Sequence, residues 1–268
     1  MPEPVTAQAL APLLEGTLFA APKTIHIFTT LGSTNAEAIQ AAAKGADEGT
    51  IFLAEEQTAG RGRSGHAWHS EPGTGIYLSV VLRPKLASSD VLWLSLITGL
   101  AVHRAVEQVV GIVPDLRWPN DIMLGTKKMG GILTEISAEA HHVRFAVVGI
   151  GLNVNQVSFP AELRAVATSL REETGREWPR LELVAALLQS LDAEYRALEQ
   201  GVHSGVQQEI LRRFERCSSY VRGARVQVDD HGAGAFEGVT AGLDARGFLL
   251  VRTAQGPRTV VSGGVRKI

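Results

Sequence analysis

A short loop rich in glycine and arginine lies between two strand-like apolar runs, and it constrains the fold more than any other segment. Residues 60–65 hold three glycines and two arginines, between an apolar run that ends at Ala54 and another that begins at Gly75. Glycine lets backbone amides approach an anion closely, and arginine can pair with phosphate or carboxylate through two hydrogen bonds. The segment predicts a mobile cationic loop, held by a β-sheet, that closes over a phosphate-bearing ligand. A solvated hairpin tip is the alternative.

The composition is that of a chain with its own hydrophobic core. The 268 residues are 45% hydrophobic and carry a net charge of -2, so no overall field favours nucleic acid. The single cysteine, Cys217, permits no internal disulfide framework and favours a reducing compartment. The N-terminus has no basic signal segment, and no apolar run reaches the roughly 18 residues of a membrane span. We therefore expect a cytoplasmic protein with no membrane partner.

Apolar periodicity predicts an α+β fold, in which a mixed sheet is flanked by helices. The Thr34-x-x-Glu37 pattern is typical of a capping box, and Ser89 is the expected cap of the longest helix. Strands are expected over residues 25–28, 50–54, 75–82, 116–118, 121–124, 128–137 and 142–150. Helices are expected over residues 8–16, 34–45, 90–109, 181–198 and 206–214.

The sequence pattern changes after Cys217. Five short apolar runs separated by glycine turns predict a small β-barrel, and they cover residues 225–228, 236–240, 248–252, 258–261 and 265–268. We therefore expect two domains, residues 1–217 and residues 218–268.

Four further motifs place polar side chains on stiff or glycine-rich backbone. Residues 33–35 (Ser-Thr-Asn) at a helix start can hold a small polar group, or simply cap the helix. Residues 117–121 (Arg-Trp-Pro-Asn-Asp) fix an Asn/Asp pair between rigid neighbours, or form an Asx turn. Residues 127–133 place lysine shortly before two glycines. The lysine could bind a phosphate there, or the segment could be a charged hairpin end. Residues 148–155 combine two glycines and two asparagines at a strand exit, to accept a flat ring or to form a bulge.

Some residues are weaker candidates. Lys127 and Lys128 point to opposite faces of a strand, so at most one of them serves this site. His66 and His69 lack a third residue at zinc-ligand spacing. Cys217 lies outside the motifs, which disfavours a cysteine-dependent transferase.

In this order, the five segments resemble the biotin protein ligase family. The resemblance runs from about Ser33 to the C-terminus and rests on residues 33–35, 57–63, 117–121, 128–133 and 149–153. It implies a catalytic domain like that of class II synthetases and a C-terminal SH3-like β-barrel. Only about 32 residues precede Ser33. We therefore expect the bacterial type without an N-terminal DNA-binding domain, and no DNA binding.

The resemblance implies a reaction in two steps. Biotin and ATP first give biotinyl-5′-adenylate and pyrophosphate. A lysine of a biotin carboxyl carrier domain, part of a carboxylase, then takes the biotinyl group and releases AMP. ATP is thus a substrate, Mg²⁺ is expected to accompany it, and no tightly bound cofactor is implied.

The resemblance also assigns roles to individual residues. Lys128, Arg61 and Arg63 are the implied catalytic residues, with Lys128 between the biotin carboxylate and the α-phosphate. Asn153 would read adenine, and Asp121 would lie near the phosphates as a candidate Mg²⁺ ligand. The implied biotin-binding residues are Ser33, Thr34, Asn35, Gln57, Arg61, Gly62, Arg63 and Lys128. The implied nucleotide-binding residues are Arg61, Arg63, Asp121, Lys128 and Asn153.

The electrostatics of the implied reaction agree with these roles. A carboxylate that attacks the α-phosphorus brings two anions together, and the cations at positions 61, 63 and 128 offset their repulsion. The mixed anhydride is prone to hydrolysis, so a loop must close over it and exclude water.

Two alternative functions stay open at this point. A lipoate-protein ligase or octanoyltransferase shares the catalytic fold and would need a more apolar pocket. An RNA-binding module built on the C-terminal strands would need clustered cations with exposed aromatic rings, and this segment offers Tyr220, Phe236 and Phe248.

Overall fold

The computed structural model describes residues 4–201, 205–230 and 234–268. Strands β1–β7 are Ile25–Leu31, Ile51–Gln57, Gly75–Leu82, Asp115–Arg117, Asp121–Leu124, Lys127–Glu139 and His142–Asn153. Strands β8–β12 are Arg222–Asp230, Gly234–Leu243, Leu249–Thr253, Gly256–Val260 and Gly264–Lys267. Helices α1–α6 are Ala7–Leu10, Thr34–Ala43, Leu92–Val110, Leu170–Thr174, Arg180–Gln200 and Val206–Arg216.

The first seven strands form one mixed sheet in the order β1-β2-β3-β7-β6-β5-β4. Strands β1 and β2 are parallel, and the other neighbours are antiparallel. Every residue of β3 is buried, because helices cover both faces of the sheet at its centre. The α+β fold with a mixed sheet is therefore confirmed.

The helices divide the core between the two faces of the sheet. Helices α3 and α5 pack against each other and against one face, where leucine, isoleucine and valine form the main core. Helix α2 covers the other face over a smaller cluster that includes Ala38, Phe52, Val81 and Phe145. Alternate residues of β3 therefore face different helices. Ser79, at the middle of β3, is on the same face as Val81 and lies beneath the start of α2.

The last five strands form a separate antiparallel sheet in the order β11-β10-β9-β8-β12. All five expected strands are present, but within the described residues β11 and β12 remain the two edges of an open sheet. The closed SH3-like barrel is thus not confirmed. The division between residues 217 and 218 stays a prediction.

The C-terminal sheet lies against the mixed-sheet region through specific contacts. The indole Nε1 of Trp118 donates to the carbonyl of Gly247 at 2.9 Å, and the indole is buried. The Ser218 hydroxyl donates to the carbonyl of Leu116 at 2.5 Å. These bonds place the β9–β10 turn and the segment before β8 beside residues 116–118.

Several helix starts differ from the expectations. The cap of α2 is Ser33, one residue before the expected Thr34, because Ser33 is extended and its hydroxyl accepts from Ala36 N. Ser89 lies in a 3₁₀ turn, and α3 begins at Leu92 without a side-chain cap. The expected helix over residues 8–16 is one α-helical turn followed by the 3₁₀ helix Ala11–Leu14. No helix among the described residues is both long and apolar enough to cross a membrane.

Candidate active site

Two adjoining cavities open beside the mixed sheet. The first, of about 280 Å³, is bounded by the start of α2, the glycine–arginine loop and the β11–β12 turn. The second, of about 620 Å³, lies between the same loop and the segment that follows β7. Five residues line both cavities: His66, Ala67, Trp68, Lys128 and Arg266.

The structure brings the expected site residues together. Nine of them line the first cavity: Ser33, Thr34, Asn35, Gln57, Arg61, Gly62, Arg63, Asp121 and Lys128. Asn153 lines the second cavity and not the first. Lys128 lies at the junction, whereas Lys127 points away and pairs with Glu172 at 3.6 Å. Of the two adjacent lysines, Lys128 lines the cavities and Lys127 does not, and the role of Lys128 stays a prediction.

The start of α2 presents buried polar groups to the first cavity. The backbone nitrogen of Thr34 donates to Gln57 Oε1 at 2.9 Å, and its hydroxyl lies 3.1 Å from the same oxygen. The Gln57 amide nitrogen donates to the Ser70 hydroxyl at 3.1 Å. These bonds fix the Gln57 amide and leave a rigid polar end to the cavity.

A second layer of polar groups lies directly beneath Thr34. The Ser79 hydroxyl is fully buried, 2.8 Å from the Thr34 hydroxyl and 2.6 Å from Asn35 Oδ1. The Asn35 amide nitrogen donates to Glu135 Oε2 at 2.8 Å and to the Leu133 carbonyl at 3.2 Å. The sequence motifs contained neither Ser79 nor Glu135, because isolated polar residues within strands give no local signal.

The glycine–arginine loop is a compact turn rather than an extended tip. Gly62 N donates to the His66 carbonyl at 2.7 Å, and Trp68 N donates to the Gly60 carbonyl at 2.9 Å. A side chain at Gly60 would lie only 2.7 Å from the Trp68 carbonyl oxygen. Glycine is therefore required there for close backbone approach.

Arg63 turns inward from this loop. Its Nη1 donates to Asn120 Oδ1 at 2.9 Å and to the Gly263 carbonyl at 3.4 Å. The Asn120 amide nitrogen in turn donates to the Ile132 carbonyl at 2.8 Å. Burial lowers the pKa of Arg63, and the Asp121 charge opposes this shift. Arg63 thus connects the loop to β6 through Asn120 and to the C-terminal sheet directly. Arg61 is exposed beside the same cavity.

Asp121 is held between two cations. Its Oδ1 lies 2.5 Å from Lys128 Nζ, and its Oδ2 accepts from Arg117 Nη2 at 2.6 Å and Nε at 3.0 Å. Burial opposes ionisation, but the charges of Lys128 and Arg117 outweigh it and hold the pKa of Asp121 below its usual value. Both oxygens of Asp121 are thus paired with cations in this structure, and its role as a Mg²⁺ ligand stays a prediction. Magnesium that arrives with ATP has the triphosphate oxygens as ligands.

Trp68 forms the wall between the cavities and was missed by sequence reasoning. A side chain at Gly151 would lie 2.5 Å from Trp68 Cε2, so the indole rests directly on that glycine. The Lys128 ammonium lies 5.5 Å from the centre of the ring system. The buried indole Nε1 has no hydrogen-bond partner among the described residues. An aromatic residue just after the glycine–arginine loop was the available signal.

Asn153 terminates β7 at the second cavity. Its amide nitrogen donates to the Thr168 carbonyl at 3.0 Å, and the side chain is buried. Beyond it, the cavity is lined by apolar side chains that include Phe159, Leu163 and Val166. This cavity has the apolar wall and the few fixed polar groups that suit a flat heterocycle.

The aromatic residues of the C-terminal sheet do not form an exposed stacking platform. Tyr220 is buried, and Arg258 and Arg246 lie over the rings of Phe236 and Phe248 at 4.8 and 5.0 Å. This arrangement disfavours the RNA-binding alternative.

The chain is similar in sequence to known protein families and to individual known proteins. The model of the Biotin/lipoate A/B protein ligase family matches residues 30–153, and that of the Biotin protein ligase C terminal domain matches residues 223–266. The bifunctional ligase/repressor BirA of Bacillus subtilis is 36% identical over 238 residues, which are 88% of this chain and 71% of that protein. The biotin--[acetyl-CoA-carboxylase] ligase of Mycobacterium tuberculosis is 35% identical over 242 residues, which are 88% of this chain and 85% of that protein.

The fold is also similar to that of a solved structure. The biotin protein ligase from Aquifex aeolicus, in complex with biotin and ATP, aligns with a TM-score of 0.77 at 31% identity, over 91% of this chain and 99% of that one. The fold and the matches define the class of the protein as a ligase. The chain belongs to the biotin protein ligase family.

Proposed function

We propose that the protein activates biotin with ATP and transfers it to a lysine of a biotin carboxyl carrier domain. One observation carries the proposal: the ammonium group of Lys128 lies where the two cavities meet. A ligase that makes an acyl adenylate needs one pocket for its acid, one for its nucleotide, and a cation between them. The Aquifex aeolicus relative is described as a complex with both biotin and ATP, which supports this choice of ligands.

The first cavity would take biotin. The ureido ring would lie against the rigid polar end formed by Thr34 and Gln57, and Ser33 and Asn35 would complete that end. Leu78, Ile132 and other apolar residues line the same cavity and suit the thioether ring and the valeryl chain. The carboxylate would then reach Lys128 at the junction.

The second cavity would take the nucleotide. Adenine would lie among the apolar side chains near Asn153, with Trp68 as an aromatic wall. The α-phosphate would share the Lys128 ammonium with the biotin carboxylate. Arg61 and Arg63 would supply further positive charge from the loop, which would close over both ligands.

Adenylation is a displacement at phosphorus. A biotin carboxylate oxygen attacks the α-phosphorus, a new P–O bond forms, and the α–β bridging P–O bond breaks to release pyrophosphate. Lys128 and the arginines reduce the repulsion between carboxylate and phosphate and stabilise the charge of the transition state. No side chain of this protein needs to act as a covalent nucleophile.

Transfer follows at the same junction. The neutral amine of an acceptor lysine attacks the acyl carbon, AMP leaves with the bridging oxygen, and the new amide loses a proton to solvent. The loop must keep water from the anhydride until this amine arrives.

Three acids tested side by side distinguish this function from its nearest alternative. The purified protein is incubated with ATP and with biotin, lipoate or octanoate, and pyrophosphate release and the acyl adenylate are measured by enzyme-coupled assay and mass spectrometry. Of the three acids, only biotin should give both pyrophosphate release and an acyl adenylate. A protein that adenylates lipoate but not biotin would be a lipoate ligase. Absence of an acyl adenylate with all three acids would overturn the proposal.

A further inference from the structure

One carboxylate beside the two cavities has no partner within the described part of the chain. Among the described residues that line the cavities, the acidic ones are Asp121 and Asp229. Asp121 is already paired with Lys128 and Arg117. The carboxylate of Asp229 forms no hydrogen bond or ion pair with any residue that the structure describes. Of the two aspartates, Asp229 is therefore the one available to a ligand.

Asp229 lies on the outer face of the C-terminal sheet, which is turned away from the apolar core of that sheet. Val226 and Val228 of β8 are buried, so Asp229 is on the opposite face and is exposed. In the neighbouring strand β12, Val265 is buried and Arg266 is exposed on the same outer face as Asp229. Because Arg266 lines both cavities, this face of the sheet borders the site.

The space beside Asp229 is open to an incoming side chain. Asp229 is paired in register with Gly264 of β12, and a Cβ at that glycine would meet no atom within 4 Å. The carbonyl of the preceding residue, Gly263, accepts a hydrogen bond from Arg63 of the glycine–arginine loop. The exposed carboxylate of Asp229 therefore lies at the rim of the first cavity, near the contact between the loop and the C-terminal sheet.

The cations of the site repel the amine that the second step requires. An acceptor lysine arrives from solvent as an ammonium ion, because its ordinary pKa is about 10.4. The first cavity is lined by the cations Arg61, Arg63, Lys128 and Arg266. An anion at the rim offsets their repulsion while the ammonium group approaches.

We propose that Asp229 binds the ammonium group of the acceptor lysine at the rim of the first cavity, before the biotinyl group is transferred. This inference rests on the proposed function, because it assigns a site to the second substrate of that reaction. The acceptor site would include the outer face of β8 and β12, and Asp229 would have no part in adenylation.

Capture of the ammonium group and attack by the amine are separate steps. Beyond the rim, the neighbouring cations lower the pKa of the lysine ammonium, which loses a proton to solvent. The neutral amine attacks the acyl carbon of biotinyl-adenylate and forms the new C–N bond. The bond from the acyl carbon to the bridging oxygen breaks, AMP leaves with that oxygen, and the second proton passes from nitrogen to solvent.

Asp229→Asn removes the charge with almost no change of shape. With a biotin carboxyl carrier domain as acceptor, the KM for that domain should rise roughly fivefold, the upper range for one partly exposed ion pair, while kcat stays within about twofold. Exchange of labelled pyrophosphate into ATP with biotin should be unchanged, because it needs no acceptor. Asp229→Glu keeps the charge and should restore the KM for the carrier domain to within about twofold of wild type.

Glu237→Gln is the matched control for loss of one negative charge from the C-terminal sheet. Glu237 is exposed on the neighbouring strand β9 and lines neither cavity. Its substitution should leave the KM for the carrier domain, kcat and the pyrophosphate exchange unchanged.

A second readout separates the charge of the acceptor from its reactivity. At about pH 8 the side chain of Nα-acetyl-lysine amide is an ammonium ion, whereas hydroxylamine is largely neutral. Biotinyl-adenylate is formed on the protein, and its reaction with each amine is followed by mass spectrometry. Asp229→Asn should slow the reaction with the lysine derivative roughly fivefold and leave the reaction with hydroxylamine unchanged. The fivefold difference should shrink in about 0.5 M salt, which screens exposed charges.

Several outcomes would overturn the inference. An unchanged KM for the carrier domain in Asp229→Asn would do so, as would equal slowing of hydroxylamine and the lysine derivative, which indicates a merely structural role. A higher KM for ATP or biotin with an unchanged KM for the carrier domain would assign the carboxylate to a different ligand. If Asp229→Asn does not fold, Asp229→Ser carries the same test. Failure of the wild-type protein to catalyse pyrophosphate exchange with biotin would contradict the proposed function instead, so the two failures can be told apart.

Discussion

Lys128 and Asp121 form an ion pair, with Nζ of the lysine 2.5 Å from Oδ1 of the aspartate, at the junction of the two cavities. Arg117 holds the other oxygen of the same carboxylate at 2.6 Å. The aspartate therefore keeps the flexible lysine side chain directed into the junction. A carboxylate or phosphate that arrives there meets an ammonium group that is already in place, so little reorganisation is needed at the reaction step.

Removal of this ammonium group should impair adenylation far more than folding. We expect Lys128→Ala to lower kcat/KM for pyrophosphate release by on the order of 10²–10³, the typical cost of one preorganised charge-stabilising group. Lys127→Ala is the matched control, because the neighbouring lysine pairs with Glu172 and lines neither cavity. Activity of Lys128→Ala close to that of Lys127→Ala would remove Lys128 from the chemistry.

Arg63, which points inward from the glycine–arginine loop, should help to keep biotinyl-adenylate bound. Arg63→Gly deletes the bonds to Asn120 and to the Gly263 carbonyl, so the loop loses its attachment to β6 and to the C-terminal sheet. We expect the dissociation rate of biotinyl-adenylate to rise roughly tenfold, because a charge-assisted hydrogen bond to Asn120 and a longer, weaker one to Gly263 are lost. Arg212→Ala, at an exposed site on α6, is the control. Equal dissociation rates in wild type and Arg63→Gly would argue against loop closure through this contact.

Trp68 can form the wall between the cavities because glycine at position 151 leaves room for its indole ring. A methyl group at position 151 would lie 2.5 Å from Trp68 Cε2, so Gly151→Ala should displace the indole. Because Trp68 lines both cavities, affinities for biotin and ATP measured by calorimetry should both fall. Gly32→Ala is the control, since a side chain there meets no atom within 4 Å. If only one ligand were affected, Trp68 would not be a shared wall.

A buried ion pair supports the strand that enters the loop. Arg180 Nη1 lies 2.7 Å from Glu55 Oε2, and the arginine side chain is only 8% exposed. Glu55→Ala leaves the buried guanidinium of Arg180 without its partner. We therefore expect the substitution to lower the free energy of unfolding by roughly 3 kcal/mol. The double variant Glu55→Ala with Arg180→Met should recover part of the loss in urea unfolding. A double variant less stable than Glu55→Ala would show that the unpaired charge is not the cause.

Asp121 gives the stability a predictable dependence on acid. Its pKa in the folded protein is below the ordinary 3.8, since Lys128 and Arg117 outweigh the effect of burial. The stability from this carboxylate is fully present above the unfolded-state value and is lost as the pH falls through the lower folded-state value. The difference in unfolding free energy between wild type and Asp121→Asn should therefore be constant near neutral pH and shrink below about pH 4. A difference that grows on acidification would contradict this assignment.

The sequence was sufficient to predict the fold class and most strands. The run 75–82 coincides with β3, because it is continuously apolar and bounded by turn residues. The motif residues lie near strand ends and at a helix start, where local sequence patterns are strong. These ends meet at the first cavity. Residues 33–35 show the limit of such patterns, since the cap belongs to Ser33 rather than to Thr34.

The parts that could not be predicted depend on contacts between distant segments. Glu135 and Asn35 are 100 residues apart in the chain, and no local pattern links them. The contact of Arg63 with Gly263 spans 200 residues and depends on how the two sheets pack. The paired state of Asp121 likewise follows from three strands that meet in space. The C-terminal barrel is expected from strand spacing and from the family resemblance, and neither determines whether the edge strands β11 and β12 pair.

The central claim is that biotin is activated as an adenylate at the Lys128 junction before any acceptor is involved. Exchange of labelled pyrophosphate into ATP, measured with biotin and without a carrier domain, tests this step directly. The wild-type protein should catalyse exchange that requires biotin, and Lys128→Ala should nearly abolish it. Transfer of biotin to a carrier lysine with no such exchange, or exchange that persists in Lys128→Ala, would contradict the account.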